Sequence, residues 1–392
     1  MYINSLHIEK YKIFENLKIK FEIPKNNKNI INVIAGVNGT GKTTLLELLY
    51  RGSKISAFED NEAFDITFNE NIVCSEEIVV LSKEELINGK DESFNVRESL
   101  VDIVERGESE ESSRLIFMPI SSVFNYEPQR EIIYPLGRYK DIVYKVDISK
   151  TLGNAELYIR DYIISQERIS IESDPKKRTS DAINKFNMIF KNCNMSTKLI
   201  DLDRRGRPLF LTLSGDKVTI EMLSSGEQQL YARVISLMIL EPKNSVILID
   251  EPEITLHPKL QQEIINIYKN IGENNQFIIT THSPHVLGAV ENKCIRLLVV
   301  GDNRKIEVIN DVTAYGRDIE WVLEEIMEVG YTREKSILDK FEEIQKIINL
   351  NKLDKAEEQL DKLESIIGQN DNDIVKLRNE IAFERIEFEE DS

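Results

Sequence analysis

An apolar run that passes without a break into a glycine-rich turn and then a leucine-rich helix constrains this chain more than any other feature. Ile30-Ile31-Asn32-Val33-Ile34 reads as a strand covered on both faces. Gly36-Val37-Asn38-Gly39-Thr40-Gly41-Lys42-Thr43 follows directly, and Leu45 to Leu49 opens a helix. Upstream, Leu17, Ile19, Phe21 and Ile23 alternate at period two, which predicts a half-buried strand paired with the one near Leu6 and Ile8. A strand, a glycine turn and a helix in that order predict an α/β fold.

The glycine turn has the chemistry of a phosphate cradle. Glycines let backbone N–H groups turn inward around an anion, Lys42 adds a point charge, and Thr43 offers a hydroxyl to Mg²⁺. The helix that begins near Lys42 points its positive end at the same place. Asn38, Gly39, Thr40, Gly41, Lys42, Thr43 and Thr44 are therefore the candidate phosphate-binding residues. A second strand, Val246-Ile247-Leu248-Ile249, ends in Asp250 and Glu251. Adjacent acids at the end of a buried strand need something to offset their desolvation, and a cation does so. Asp250 is placed to hold the ion and Glu251 to orient and deprotonate a water.

Two further segments carry a family likeness. Leu223-Ser224-Ser225-Gly226-Glu227-Gln228 stands before an apolar helix and would serve as a plain N-cap, but it also resembles the signature sequence of ABC ATPases. Phe277-Ile278-Ile279-Thr280-Thr281-His282-Ser283-Pro284 is similar to the strand that carries their switch histidine. Phosphate loop, signature, acidic strand and histidine occur in that order, so the chain resembles an ABC-type ATPase over residues 1–56 and 216–300. The resemblance implies an α/β P-loop NTPase head with a mixed central sheet, and ATP and Mg²⁺ as cofactors. It implies Lys42, Glu251 and His282 in catalysis, Ser224, Ser225, Gly226 and Glu227 on nucleotide, and Thr43 and Asp250 on the metal. Which glutamine plays the family's Q-loop role is left open, with Gln129 as a weak candidate.

Domain expectations follow from composition. The core is residues 1–56 and 216–310. Residues 57–215, charged and irregular with short strands such as Leu115-Ile116-Phe117, are expected to be an insertion or lid. Residues 311–392 are expected to be a helical tail. In the tail, Ile337, Phe341, Ile344 and Ile348, then Leu353, Ala356, Leu360, Leu363 and Ile367, predict two amphipathic helices hinged near Asn349–Lys352. Glu387 to Ser392 read as an acidic frayed end. Tyr11 and Phe14 are weighed as adenine contacts against an equally good core reading. Trp321 is weighed as a core anchor against a partner-docking residue.

The segment Asp250-Glu251-Pro252-Glu253-Ile254-Thr255-Leu256-His257-Pro258 resembles the soluble OLD/RecF/SMC-like branch, whose members work on nucleic acid or regulate an effector that does. Ala314 to Met327 resembles the tail of Septu and retron-associated anti-phage ATPases. That likeness implies a separate HNH- or Toprim-type nuclease as partner, while one phosphate loop and one ABC-like signature per chain predict a head-to-tail homodimer enclosing two ATP molecules. The chain's four histidines, His7, His257, His282 and His285, form no HNH constellation of their own. A net charge of −18 argues against a surface that is basic all over. Arg204-Arg205-Gly206-Arg207 and Lys176-Lys177-Arg178 keep DNA or RNA open as a partner, and with it a RecF-like repair role as the alternative function. A transporter subunit ranks third. No apolar run is long enough to span a membrane, and three scattered cysteines fit a reducing, cytoplasmic home.

Overall fold

A computed structural model describes residues 2–52, 63–68, 72–75, 81–82, 114–119, 143–146, 148–301, 303–310, 312–327 and 333–390. The chain separates into two compact units, Met1–Val322 and Leu323–Ser392.

The first unit is built on a seven-stranded sheet in the order β15 (Ile306–Asn310), β14 (Ile295–Val300), β3 (Ile30–Gly36), β13 (Gln276–Thr281), β12 (Val246–Asp250), β7 (Leu115–Met118), β8 (Val143–Lys145). All neighbours run parallel except β15 against β14, so the sheet is mixed. A second, antiparallel sheet takes the order β2 (Phe14–Lys20), β1 (Ile3–Tyr11), β4 (Ala63–Phe68), β5 (Ile72–Ser75), β6 (Leu81–Ser82). Leu17 pairs with Ile8 and Ile19 with Leu6, as the alternation predicts, whereas Phe21 and Ile23 lie past the end of β2.

The helix Lys42–Gly52 shares one core with both sheets. Leu45, Leu46, Leu48 and Leu49 are all fully buried, packed in one cluster with Leu6, Ile8 and Phe64 of the antiparallel sheet and Ile34, Leu248 and Ile278 of the parallel one. A helix apolar on adjacent faces is what a position between two sheets requires. Two buried amides tie the sheets together. The Asn32 side chain accepts from the Glu22 N–H at 2.7 Å and donates to its carbonyl at 2.9 Å. Gln276 does the same for Ile3, at 2.7 and 2.8 Å. Asn32, the polar residue in an otherwise apolar run, is thus a fully paired bridge.

Within the expected insertion, 57–215, described strands β4 and β7 belong to the two sheets of the core. β7 lies inside the central sheet beside β12, and β4 pairs with β1. Helices Ile148–Ile169 and Pro175–Met188, with the sheet β9 (Thr197–Leu202), β10 (Pro208–Thr212), β11 (Lys217–Val218), form a lobe that holds the helix Ser225–Met238. Its centre is aromatic: Tyr231 lies 4.8 Å from Phe210, 5.1 Å from Phe190 and 6.1 Å from Phe186 between ring centroids. Apolar stretches here are short and set between charged ones, so no periodicity marks them as core in the sequence.

The second unit is a set of helices, Lys335–Asn349, Leu353–Ile367 and Asn372–Glu390. Ile344, Ile348, Leu360, Leu363, Ile374 and Leu377 share its small core. The third helix reaches Glu390, into the expected frayed end Glu387–Ser392, of which Asp391 and Ser392 fall outside the described residues. It escapes a periodicity reading because Val375, Phe383 and Ile386 are exposed while Ile374, Leu377 and Ile381 are buried, which blurs the amphipathic pattern.

Candidate nucleotide site

The turn after β3 needs its glycines for two separate reasons. Gly39 and Gly41 adopt φ of +87° and +85°, open to glycine and strained for other residues. At Gly41 a Cβ would also fall 2.5 Å from the Phe14 ring and 2.7 Å from Ile13. The Lys42 ammonium donates to the loop's own carbonyls, to Gly36 at 2.9 Å and Val37 at 3.2 Å. Thr40 closes the turn by donating to Val37 O at 2.9 Å. Burial pushes the Lys42 ammonium below its ordinary value, and Glu251, Asp250 and Glu253 push it back up. An ammonium held by two carbonyls in an acidic setting is ready to exchange them for a phosphate oxygen.

Parallel pairing of β12 with β13 and of β13 with β3 brings the three strand ends together. Asp250 is 1% exposed, and its Oδ1 accepts from Thr280 at 2.5 Å and from Thr43 at 3.1 Å. Its Oδ2 is buried with no hydrogen-bond partner among the described residues. Burial raises the Asp250 pKa, against the opposing pull of the Thr280 and Thr43 hydroxyls. One carboxylate and one hydroxyl suit Mg²⁺, which keeps much of its hydration and takes few protein ligands. No cluster of three or more His, Cys, Asp or Glu able to hold a metal exists among the described residues; Asp250 and Thr43 are the pair that could hold a cation here.

Glu251 sits at φ +43°, a left-handed conformation that turns its side chain off the strand end, and its N–H donates to Thr280 Oγ1 at 3.1 Å. His282 Nδ1 lies 3.2 Å from Glu251 Oε1. Lys42, Thr43, Asp250, Glu251 and His282, far apart in the chain, therefore meet at one end of the sheet. Asn38 and Gly39 are exposed at the lip, and Thr44 stands half-buried in the helix.

Ser224 is the N-cap of the helix Ser225–Met238. Its Oγ accepts from the Glu227 N–H at 3.3 Å and donates to Glu227 Oε2 at 3.0 Å, a reciprocal cap. Glu227 also accepts from Thr197 at 2.9 Å, which fastens the cap to β9. Ser224 and Ser225 are exposed, and Ser225 and Gly226 form the first turn. Among the described residues no hydrogen bond joins Ser224–Gln228 to Gly36–Thr43.

Several expectations change. Tyr11 and Phe14 are fully buried and cannot stack on a base; the exposed apolar side chain above Gly41 is Ile13, 48% exposed in the β1–β2 turn. Trp321 is half-buried beneath the Arg317 guanidinium, 4.7 Å from its ring centroid, rather than a core anchor. Gln129 lies outside the described residues. Of the basic runs, Arg207 is paired with Asp203 at 2.8 Å, and Lys176 donates its N–H to the Asp174 helix cap. Thr280 and Glu253 escaped the sequence reading. The signal for Thr280 was its place opposite Asp250 in the parallel register, visible only once the strands are paired.

A family model described as "AAA domain, putative AbiEii toxin, Type IV TA system" matches residues 154–288. The chain is 30% identical over 172 residues to the Retron Ec83 probable ATPase of Escherichia coli, covering 41% of this chain and 30% of that protein. It is 20% identical over 318 residues to the Septu protein PtuA of Bacillus mycoides (strain KBAB4), covering 78% and 41%. It is also 32% identical over 116 residues to the DNA double-strand break repair Rad50 ATPase of Sulfurisphaera tokodaii, covering 29% and 13%. The matched stretches span less than half the length of each of these relatives. With a phosphate loop, an acidic strand end and a histidine at one end of a mixed sheet and a capped signature turn beside them, the chain has the α/β head of an ABC-type ATPase and is similar, over the stretches given, to the retron and Septu ATPases.

Proposed function

We propose that this chain binds and hydrolyses ATP within a head-to-tail homodimer, and that the cycle of closing and reopening regulates a separate effector nuclease in anti-phage defence. The observation that carries the dimer is the exposure of one of two helix N-termini. The one at Lys42 lies against the acidic strand end through Thr43 and Asp250, whereas Ser225 is exposed and, among the described residues, makes no hydrogen bond to the phosphate loop. A signature turn that does not serve its own chain's phosphate serves a second chain's.

In this reading Lys42 and the N–H groups of Asn38 to Thr44 hold the β- and γ-phosphates. Thr43 and Asp250 would hold Mg²⁺, which would supply charge neutralisation on those phosphates. The Glu251 carboxylate accepts a proton from the attacking water, and His282, against Glu251 Oε1, fixes that carboxylate and senses the γ-phosphate. Ser225 and Gly226 of the second chain close over the same phosphate and exclude bulk water. Binding energy on the phosphates favours the closed dimer, and hydrolysis removes it.

Support for the defence role comes from likeness to the retron and Septu ATPases. The partner in this reading is an HNH- or Toprim-type nuclease on a separate polypeptide. Among the described residues no helix is long and apolar enough to cross a membrane. A RecF-like DNA clamp draws less support, because the net charge is −18 and Arg207 is committed to Asp203.

Complementation tests the shared site. Lys42→Ala and Ser225→Arg should each abolish turnover alone. Mixed in equal amounts they should recover about a quarter of wild-type ATPase activity, because half the dimers then hold one intact composite site of two. Steady-state phosphate release reads the result, and no recovery on mixing would refute a site shared between chains.

A further inference from the structure

Glu253 is a carboxylate, 3% exposed, that the hydrolytic chemistry above does not use. Its Oε1 accepts from the Thr281 hydroxyl at 2.5 Å and from the His282 N–H at 3.1 Å, so it grips the backbone that carries His282. The segment Glu251–Leu256 then turns back on itself, with the Ile254 and Leu256 N–H groups donating to Glu251 O and Glu253 O. At the outer end of this turn Thr255 Oγ1 lies 2.6 Å from Gln229 Oε1 on the helix Ser225–Met238, and shares its proton with Ile254 O at 2.5 Å. Directly beside it a Cβ at Gly226 would come 3.1 Å from Thr255 O, which brings the signature turn against the same loop.

Thr255 sits at φ +71°, a conformation that is costly for a β-branched residue. Glycine or asparagine would relieve that strain but lose the hydroxyl. Deeper in, Glu253 Oε2 and Gln229 Nε2 are buried without a hydrogen-bond partner among the described residues, beside a Tyr268 hydroxyl and an Arg233 guanidinium that interact with each other. Tyr268 feels both charges: Arg233 draws its pKa down and Glu253 raises it, while burial pushes it up to about 12. Gln229 and Arg233 come from the signature helix, Glu253 from the loop after the acidic strand. Hydrogen-bonding capacity left over on both sides of this contact is what a joint with a second arrangement would leave.

We propose that Gln229, Thr255 and Glu253 form a strut inside each chain through which the position of the signature helix sets the position of His282. Glu253 is a positioning residue on this view, acting on the histidine turn and not on ATP. The inference rests on the dimer reading for its consequence. A chain's signature serves the second chain's nucleotide while its His282 serves its own, so the strut couples the two ATP sites.

The test is a double-mutant cycle in the full chain. Gln229→Leu and Thr255→Val should each lower kcat about tenfold with KM for ATP unchanged and with the Hill coefficient for ATP moved toward one. The double variant should be no slower than the slower single, because both break one link. Thr255→Ser, which keeps the hydroxyl, should restore kcat. Thr255 is exposed, so its variants are expected to keep the melting temperature of the parent. Unchanged kcat in Thr255→Val, or rate losses that multiply in the double variant, would overturn the strut. ATP-driven dimerisation, measured by sizing chromatography in a Glu251→Gln background, reads separately. Failure of that parent to dimerise overturns the dimer and not the strut, which the cycle still judges.

Discussion

Replacing Glu251 with glutamine is expected to lower ATP turnover by about 10²–10⁴-fold while leaving nucleotide affinity nearly unchanged. Glutamine keeps the length and shape of the side chain and can still face His282 Nδ1, but it cannot take a proton from water. Lys42, Thr43 and Asp250, which would hold the phosphates and the ion, are untouched. Glu251 contributes its backbone N–H to Thr280 through a left-handed turn that glutamine adopts as readily, so the site geometry should persist. The variant should therefore accumulate as an ATP-bound dimer. Sizing chromatography with Mg-ATP, with Mg-ADP and without nucleotide separates the outcomes: a dimer with ATP alone is the expected pattern. Near-wild-type phosphate release would show that the proton is taken elsewhere, and a monomer at saturating Mg-ATP would remove the sandwich.

The parts of the site that the sequence makes legible are those where local geometry and chemistry coincide. Gly39 and Gly41 must be glycine because of their φ, Asp250 and Glu251 stand at the end of a fully apolar strand, and Ser224 and Glu227 are spaced for a cap. Each is visible within a window of eight residues. The central order of strands is less legible, because β7 pairs with β12 across more than a hundred residues and carries only four apolar residues to announce itself. Residues 57–215 were accordingly expected to stand apart, although β4, β7 and the Ile148–Ile169 helix belong to the two sheets and to the signature helix's support. Thr280 and Glu253 mark the same limit. A threonine in an apolar strand and a glutamate beside a proline have no pattern of their own, and only the pairing of Asp250 with Thr280 and the fold of the Glu253 turn give them partners.

The aromatic residues show the opposite case, where a chemical guess is overridden by burial. Tyr11 and Phe14 flank a hairpin at the lip of the site and would suit a base, yet both are buried in the core between the sheets. Strict alternation from Ile8 would leave Tyr11 outside; a register shift between Ile8 and Lys10 and a left-handed Asn16 break the period, and Lys12 and Ile13, in the turn itself, are the residues left outside. A base entering beside Gly41 would meet Ile13, a flat apolar contact that does not discriminate one purine from another.

Asp250→Asn should have the second large effect, and in two opposite directions: loss of Mg-dependent turnover by at least about a hundredfold, with a gain in thermal stability when metal and nucleotide are absent. Asp250 is buried, its Oδ2 has no hydrogen-bond partner among the described residues, and its pKa in the folded chain is raised above the ordinary aspartate value. A carboxyl whose folded pKa is raised binds its proton more tightly in the native state than in the unfolded one. Stability from this group is therefore greatest in acid and is lost as pH rises through the unfolded and then the folded pKa, so at neutral pH the ionised side chain is a net cost. Asparagine removes the charge, keeps an oxygen for Thr280 and Thr43, and should raise the melting temperature at neutral pH by a few degrees, on the order of 1 kcal/mol. In acid, where aspartate is protonated in both states, wild type and variant should converge. With Mg-ATP the order should reverse, because only the carboxylate recovers its cost by binding the ion. Calorimetry in EDTA at neutral and acidic pH, and again in Mg-ATP, measures each part. A variant that melts lower than wild type in EDTA at neutral pH would mean that Asp250 is held for the fold and not for the cation.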